Sequence, residues 1–172
     1  MARLKKPKLT KKSSLHSKPK SAATKALSSG LEQRRKTETV SQFGSRLKRL
    51  LETDEAYTIL GPEGTWQAGG CWLLAEAVRK VLGPQAKLFA VLSERGLLSK
   101  HVVEHVVVEF DGKYIDADGA FTKEQLLEKM RKQEFVYNPR VVPFSNRLKK
   151  QAKENELICP AVSVRKLVEF LQ

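Results

Sequence analysis

The chain has 172 residues and a formal net charge of +13, which suits one domain of ordinary size with a real core. The surplus is lopsided: residues 1–50 hold 15 Lys or Arg against 2 Glu, and the remainder balances 17 bases with 17 acids. Two cysteines, Cys71 and Cys159, exclude a disulfide framework and make a reducing compartment the default; no apolar run nears the ~18 residues of a membrane helix, and the basic N-terminus lacks the apolar stretch of a secretory signal.

Residues 1–36 are rich in Lys, Ser, Ala and Thr and poor in large apolar groups. Such a segment buries too little surface to offset chain entropy, so a disordered basic tail is expected. Its charge suits nucleic acid, a targeting receptor or an acidic surface, and the plain alternative is a solvated tail. Residues 37–172 are expected to form the folded domain.

A first helix is expected over residues 37–53, with Val40, Phe43, Leu47, Leu50 and Leu51 as its apolar stripe. Residues 61–70 read as a loop. A second helix starts at Cys71 and stops at Gly83-Pro84. Leu74, Val78, Val81 and Leu82 share one face, which Cys71 and Ala75 extend, so the thiol should point inward. Lys87–Leu92 reads as a strand and Glu94-Arg95-Gly96 as a turn. His101–Phe110 is rich in β-branched residues and reads as a strand. Asp111-Gly112 signals a hairpin, with Lys113–Asp118 as the return strand ending at Gly119. Thr122 and Gln125 make a capping box for a helix to about Gln133. Phe135–Val142 reads as one more strand, interrupted by Pro139. Helical patterns begin at Ser145 and again at Ser163.

The chemistry concentrates around Gln67-Ala68-Gly69-Gly70-Cys71-Trp72. The glycine pair permits a tight turn and close approach, and the helix start offers free N–H groups and about half a positive charge. Such a position favours a thiolate. A working cysteine nucleophile also needs an imidazole and a group to orient it. His105 and Asp116 supply these on two strands of one hairpin. With a two-residue loop, opposed positions sum to 223. His105 then faces Asp118, and Asp116 is its diagonal neighbour; a bulge at Gly112 would change this. The register is open at this level, and a small buried cysteine and turn-forming aspartates are the plain alternatives.

Gly-Gly-Cys-Trp-x-x-Ala-x-Ala, His105-Val-Val-Val and Gly-Lys-Tyr-Ile-Asp-Ala-Asp-Gly resemble the papain-like thiol superfamily across residues 60–120. The compact spacing is most similar to transglutaminase-like domains, arylamine N-acetyltransferases and small papain-fold effectors or toxins of bacteria and phages. The chain is short for a complete arylamine acetyltransferase. The resemblance implies an α+β fold with the Cys-bearing helix packed on a small, mainly antiparallel sheet. It implies Cys71 as nucleophile, His105 as general base and acid, and Asp116 as orienter, with Asp118 the alternate. Gln67, four residues before the cysteine, is the oxyanion candidate.

Trp66 could wall a substrate groove or pack in the core; Trp72 is expected in the core. His101 and His105 are too far apart on a strand to share one ion, about 13 Å, so no metal is expected, and no cofactor. Cys159 is expected to be packing, and Arg147, Lys149, Lys150 and Lys153 a solvated face.

The expected activity is a cysteine hydrolase or acyl transferase acting on amides of proteins or peptides: a peptidase, a deamidase or a transglutaminase-like enzyme. Localisation would be cytoplasmic, or delivered without a secretory signal, and an inhibitor or immunity protein is a candidate partner. The alternative is a non-catalytic, nucleic-acid-binding or virion-associated protein on a degenerate scaffold of this kind.

Overall fold

The computed structural model describes residues 38–62, 64–95 and 100–172. The tail expected over 1–36 and the Gly96 end of the expected turn lie outside these residues. Among the described residues there are six helices and five strands, an α+β arrangement. In chain order they are α1 (Val40–Leu51), α2 (Asp54–Leu60), α3 (Cys71–Leu82), β1 (Lys87–Arg95), β2 (Lys100–Phe110), β3 (Lys113–Asp116), β4 (Gly119–Phe121), α4 (Lys123–Lys132), β5 (Arg140–Pro143), α5 (Asn146–Glu154) and α6 (Ala161–Leu171). The strands form one antiparallel sheet in the order β4-β3-β2-β1-β5.

Helix α1 opens with a capping box in which Thr39 and Gln42 satisfy each other's backbone N–H groups. Phe43, Leu47 and Leu51 of its stripe are buried, while Val40 and Leu50 pack at the margin. Gly44 lies against β4 so closely that a Cβ there would sit 2.6 Å from the Ala120 nitrogen. Helix α2 was not expected. It is only seven residues long, but Thr53 caps it and Asp54 and Glu55 suit its positive end.

Helix α3 is the centre of the molecule. The sequence suggests one apolar face, but Cys71, Trp72, Leu73, Leu74, Ala75, Ala77, Val78 and Val81 are all buried. The helix is enclosed on most of its surface, packing on β2 and α6. Each large side chain so buried stabilises the fold by about 1.5–3 kcal/mol before entropy.

The β2–β3 hairpin has the register of a two-residue loop, one of the two left open by the sequence: Phe110 pairs with Lys113, Glu109 with Tyr114 and Val108 with Ile115. Asp111 and Gly112 both have positive φ, 49° and 73°, as a two-residue I′ turn requires. The irregularity falls on the other side of β2. Val91 pairs with His105 but Leu92 pairs with Val103, leaving Glu104 as an extra residue. This bulge resets the alternation: Val103 and Val106, three apart, both enter the main core.

Several expected boundaries change. Glu94 and Arg95 are not a turn, because they continue the ladder opposite His101 and Lys100. The return strand stops at Asp116, and Gly119 opens β4 instead of ending β3. Residues 135–139 are not strand, since Phe135 and Asn138 adopt positive φ; the strand begins at Arg140. Helix α6 starts at Ala161, two residues before Ser163. The capping box at Thr122 and Gln125 is present, and Ser145 caps α5. No helix among the described residues is long and apolar enough to cross a membrane.

Candidate active site

The loop before α3 is folded on itself. Thr65 and Ala68 exchange hydrogen bonds, and the Gly70 N–H donates to the Thr65 carbonyl at 2.9 Å. Gly69 has φ +86°. A Cβ on Gly70 would lie 2.4 Å from Leu60 Cδ1 and 2.9 Å from the Thr65 oxygen. The second glycine is therefore needed for space, the first for its backbone angle. Gly70 caps α3 without a side-chain acceptor, so the N–H groups of the first turn stay available beside the Cys71 sulfur.

Cys71 is 1% exposed and His105 is 3% exposed, and the thiol is close enough for its charge to act on the imidazole. His105 Nε2 lies 3.3 Å from Asp116 Oδ2. Strand β3 ends at Asp116, so the chain turns away before residue 118 could face the histidine in the ladder. Asp118 instead donates its backbone N–H to Asp116 Oδ1 at 2.8 Å. Its carboxylate takes Lys129 Nζ at 2.5 Å and lies 3.5 Å from the Gln67 amide nitrogen. Cys71, His105 and Asp116 are thus brought together, with Asp118 behind them and Gln67 at the edge.

The electrostatics follow from this packing. Burial disfavours a charged His105 ring. The negative charge Cys71 can carry, the hydrogen bonds to Asp116 and Cys71 and the Asp116 charge outweigh it, raising the imidazole from 6.5 to about 10. Burial likewise works against an ionised Asp116, but His105 and then Lys129 hold its carboxyl down at about 2. A charged imidazole between a sulfur and a carboxylate is the state favoured here.

Lys129, which the sequence reading passed over, is buried on α4 with its Nζ 2.7 Å from Asp116 Oδ2. Its signal was present: Leu126, Lys129 and Met130 share one helical face, so the lysine occupies an apolar stripe.

A cleft of about 690 Å³ opens onto His105, Gln67, Gly69 and the Thr65 turn. Its apolar lining comes from Val102, Val103, Met130, Val136 and Leu157, and its charged lining is Glu104, Glu134, Glu154 and Glu156, with no Lys or Arg among the described residues. The segment after α5 forms one wall. The Asn155 side chain donates to the Val103 carbonyl at 3.0 Å, and the Ile158 N–H donates to the Gly69 carbonyl at 2.8 Å. Trp66 does not line this cleft. It is 2% exposed, and its Nε1 donates to the Leu51 carbonyl at 3.1 Å, so it packs in the core. Trp72 is also core, edge-on to Phe144.

Cys159 packs against the main core, and burial, then the Glu76 charge, raise its thiol to about 11. His101 is exposed on a separate surface groove. Arg147, Lys150 and Lys153 are exposed, and Lys149 is half-buried near the Phe144 ring. Among the described residues no group of three His, Cys, Asp or Glu is placed to hold a metal ion. Comparison of the chain with family models, with curated proteins and with solved structures finds no match.

Proposed function

We propose that this protein is a cysteine-nucleophile enzyme of papain-like type that hydrolyses or transfers acyl groups from amides of proteins or peptides. The observation that supports this most is the buried His105–Asp116 pair, Nε2 to Oδ2 at 3.3 Å, on whose ring the charge of Cys71 at the start of α3 also acts. Asp116 occupies Nε2 of the imidazole, which leaves Nδ1 to exchange a proton with the sulfur. In the proposed reaction the Cys71 sulfur attacks the amide carbon. The Cys71 backbone N–H and the Gln67 side-chain amide are the donors for the developing oxyanion in this reading. His105 protonates the leaving amine and a thioester remains. His105 then takes a proton from water or from an acceptor amine, which releases the acyl group.

The cleft lining favours a substrate with aliphatic and positively charged parts, so basic peptides are the first to assay. Because Cys71 is 1% exposed, groups around it must shift for a substrate to reach the sulfur.

The test uses the enzyme's own control thiol. At pH 6, iodoacetamide should alkylate Cys71 at least about tenfold faster than Cys159, and His105→Ala should erase that difference. Equal rates in the native protein would remove the activated-thiol reading. Cys71→Ala should abolish release of ammonia or amine from basic peptides.

A second role rests on a separate observation: the whole charge surplus lies within residues 1–50, which suits nucleic acid. The two roles are compatible in one chain.

A further inference from the structure

Lys129 is a cation in a place where sheet and helix should exclude one. It is 7% exposed, reaches Asp116 Oδ2 at 2.7 Å and Asp118 Oδ2 at 2.5 Å, and lies over the Phe121 ring at 5.4 Å. The oxygen it holds on Asp116 is the same one that faces His105 Nε2 at 3.3 Å. The two nitrogens therefore share one acceptor and lie within about 6 Å of each other, a range at which one charge moves another's titration appreciably.

We propose that Lys129 is a positioning residue for His105: it locks the Asp116 carboxylate and trims the negative charge behind the imidazole from two to one. This rests on the reading of His105 as the proton carrier. Asp116 Oδ1 is held by the Asp118 N–H and Oδ2 by Lys129, so the carboxylate cannot rotate away from the ring. Without the lysine, two adjacent carboxylates would stabilise the imidazolium further, and a base that grips its proton too tightly protonates a leaving amine poorly.

Apart from Cys71, whose charge also raises the imidazole, the other charged groups around this centre are few. On α4, Glu128 and Lys132 pair with each other at 2.6 Å. From α1, Lys48 borders the groove that Lys129, Asp118 and Phe121 line. The cleft that His105 lines is also lined by Glu104, Glu134, Glu154 and Glu156, of which Glu104 contacts Ser93. None of these touches Asp116.

The experiment is an NMR titration of the His105 ring in full-length protein, with its signal assigned by His105→Gln. Lys129→Met should move the imidazole titration up by about one pH unit. Asp118→Asn should move it down by a similar amount. The double variant restores a single negative charge and should return the curve close to the original, and Lys129→Arg should stay near it. Opposite signs that cancel are not produced by loosened packing. Curves that superimpose for Lys129→Met and Asp118→Asn would overturn the proposal. If Lys129→Met does not fold, the downward shift in Asp118→Asn and the unchanged Lys129→Arg curve decide. The readout needs neither substrate nor alkylation of the thiol, and Cys71 is the same in every variant compared. Unequal titrations with equal alkylation of the two cysteines would therefore retain Lys129 and reject the enzyme, and the converse would do the reverse.

Discussion

Asp116 and His105 tie stability to pH from opposite ends. The folded carboxyl titrates at about 2 against an ordinary 3.8, so its contribution is complete above about pH 4 and is lost as pH falls towards 2. The shift corresponds to about 2 kcal/mol. The folded imidazole titrates at about 10 against 6.5, so its contribution is complete below 6.5 and is lost as pH rises through 10. A stability plateau between about pH 4 and 6.5 is expected, falling on both sides. Urea midpoints across pH should show it, with His105→Gln flattening the alkaline limb and Asp116→Asn the acid one. An alkaline limb unchanged in His105→Gln would mean the imidazolium is not held by its neighbours. At this scale the sequence displayed the three residues that meet, because a glycine pair, a β-branched strand and an Asp-Gly turn place them locally. It did not display Lys129 as a partner, since a lysine's surroundings depend on how α4 lies across β3. Nor could it place Trp66, whose hydrogen bond to Leu51 joins segments that composition alone does not connect.

Helix α3 depends on how tightly the preceding loop folds beneath it. Gly70 has ordinary backbone angles, φ −81° and ψ −7°, so alanine there suffers no torsional strain. The cost is steric: Leu60 Cδ1 can give way, but the Thr65 oxygen at 2.9 Å is backbone and cannot do so cheaply. Gly70→Ala should destabilise the protein by about 1–3 kcal/mol and slow Cys71 alkylation, because the loop that carries Gln67 must move. A melting temperature and alkylation rate equal to the unaltered protein would show that the close approach is not required. Elements with strong local chemistry were readable in advance: the capping box at Thr122, the Gly83 stop and the Asp111-Gly112 turn. Those without it were not. Helix α2 is too short for periodicity to register. The bulge at Glu104 has no glycine to announce it, yet it resets which valines of β2 face the core. Residues 135–139 carry large strand-forming side chains but bend through two positive φ angles, at Phe135 and Asn138.

Across the whole chain the charge divides at the edge of the folded unit. Residues 1–37 carry 12 Lys or Arg and one Glu, whereas residues 38–172 carry 20 bases against 18 acids, and the unit Glu38–Gln172 has its own internal contacts. A nearly neutral domain with glutamates around its cleft gives little attraction to phosphate, so any affinity for nucleic acid should reside in the first 37 residues. Each phosphate neutralised releases a counterion and steepens the dependence of log Kobs on log salt by about 0.9. If half of those 12 cations engage duplex DNA, the slope is about −5, and affinity falls about a thousandfold between 50 and 200 mM salt. The fragment 38–172 should lose this binding while keeping its melting temperature and its fast Cys71 alkylation. Fluorescence anisotropy with a labelled duplex, run on both proteins across a salt series, measures the difference. Binding that the fragment retains, or a slope near zero in the intact chain, would move the contact to the folded surface and leave the basic segment without this role.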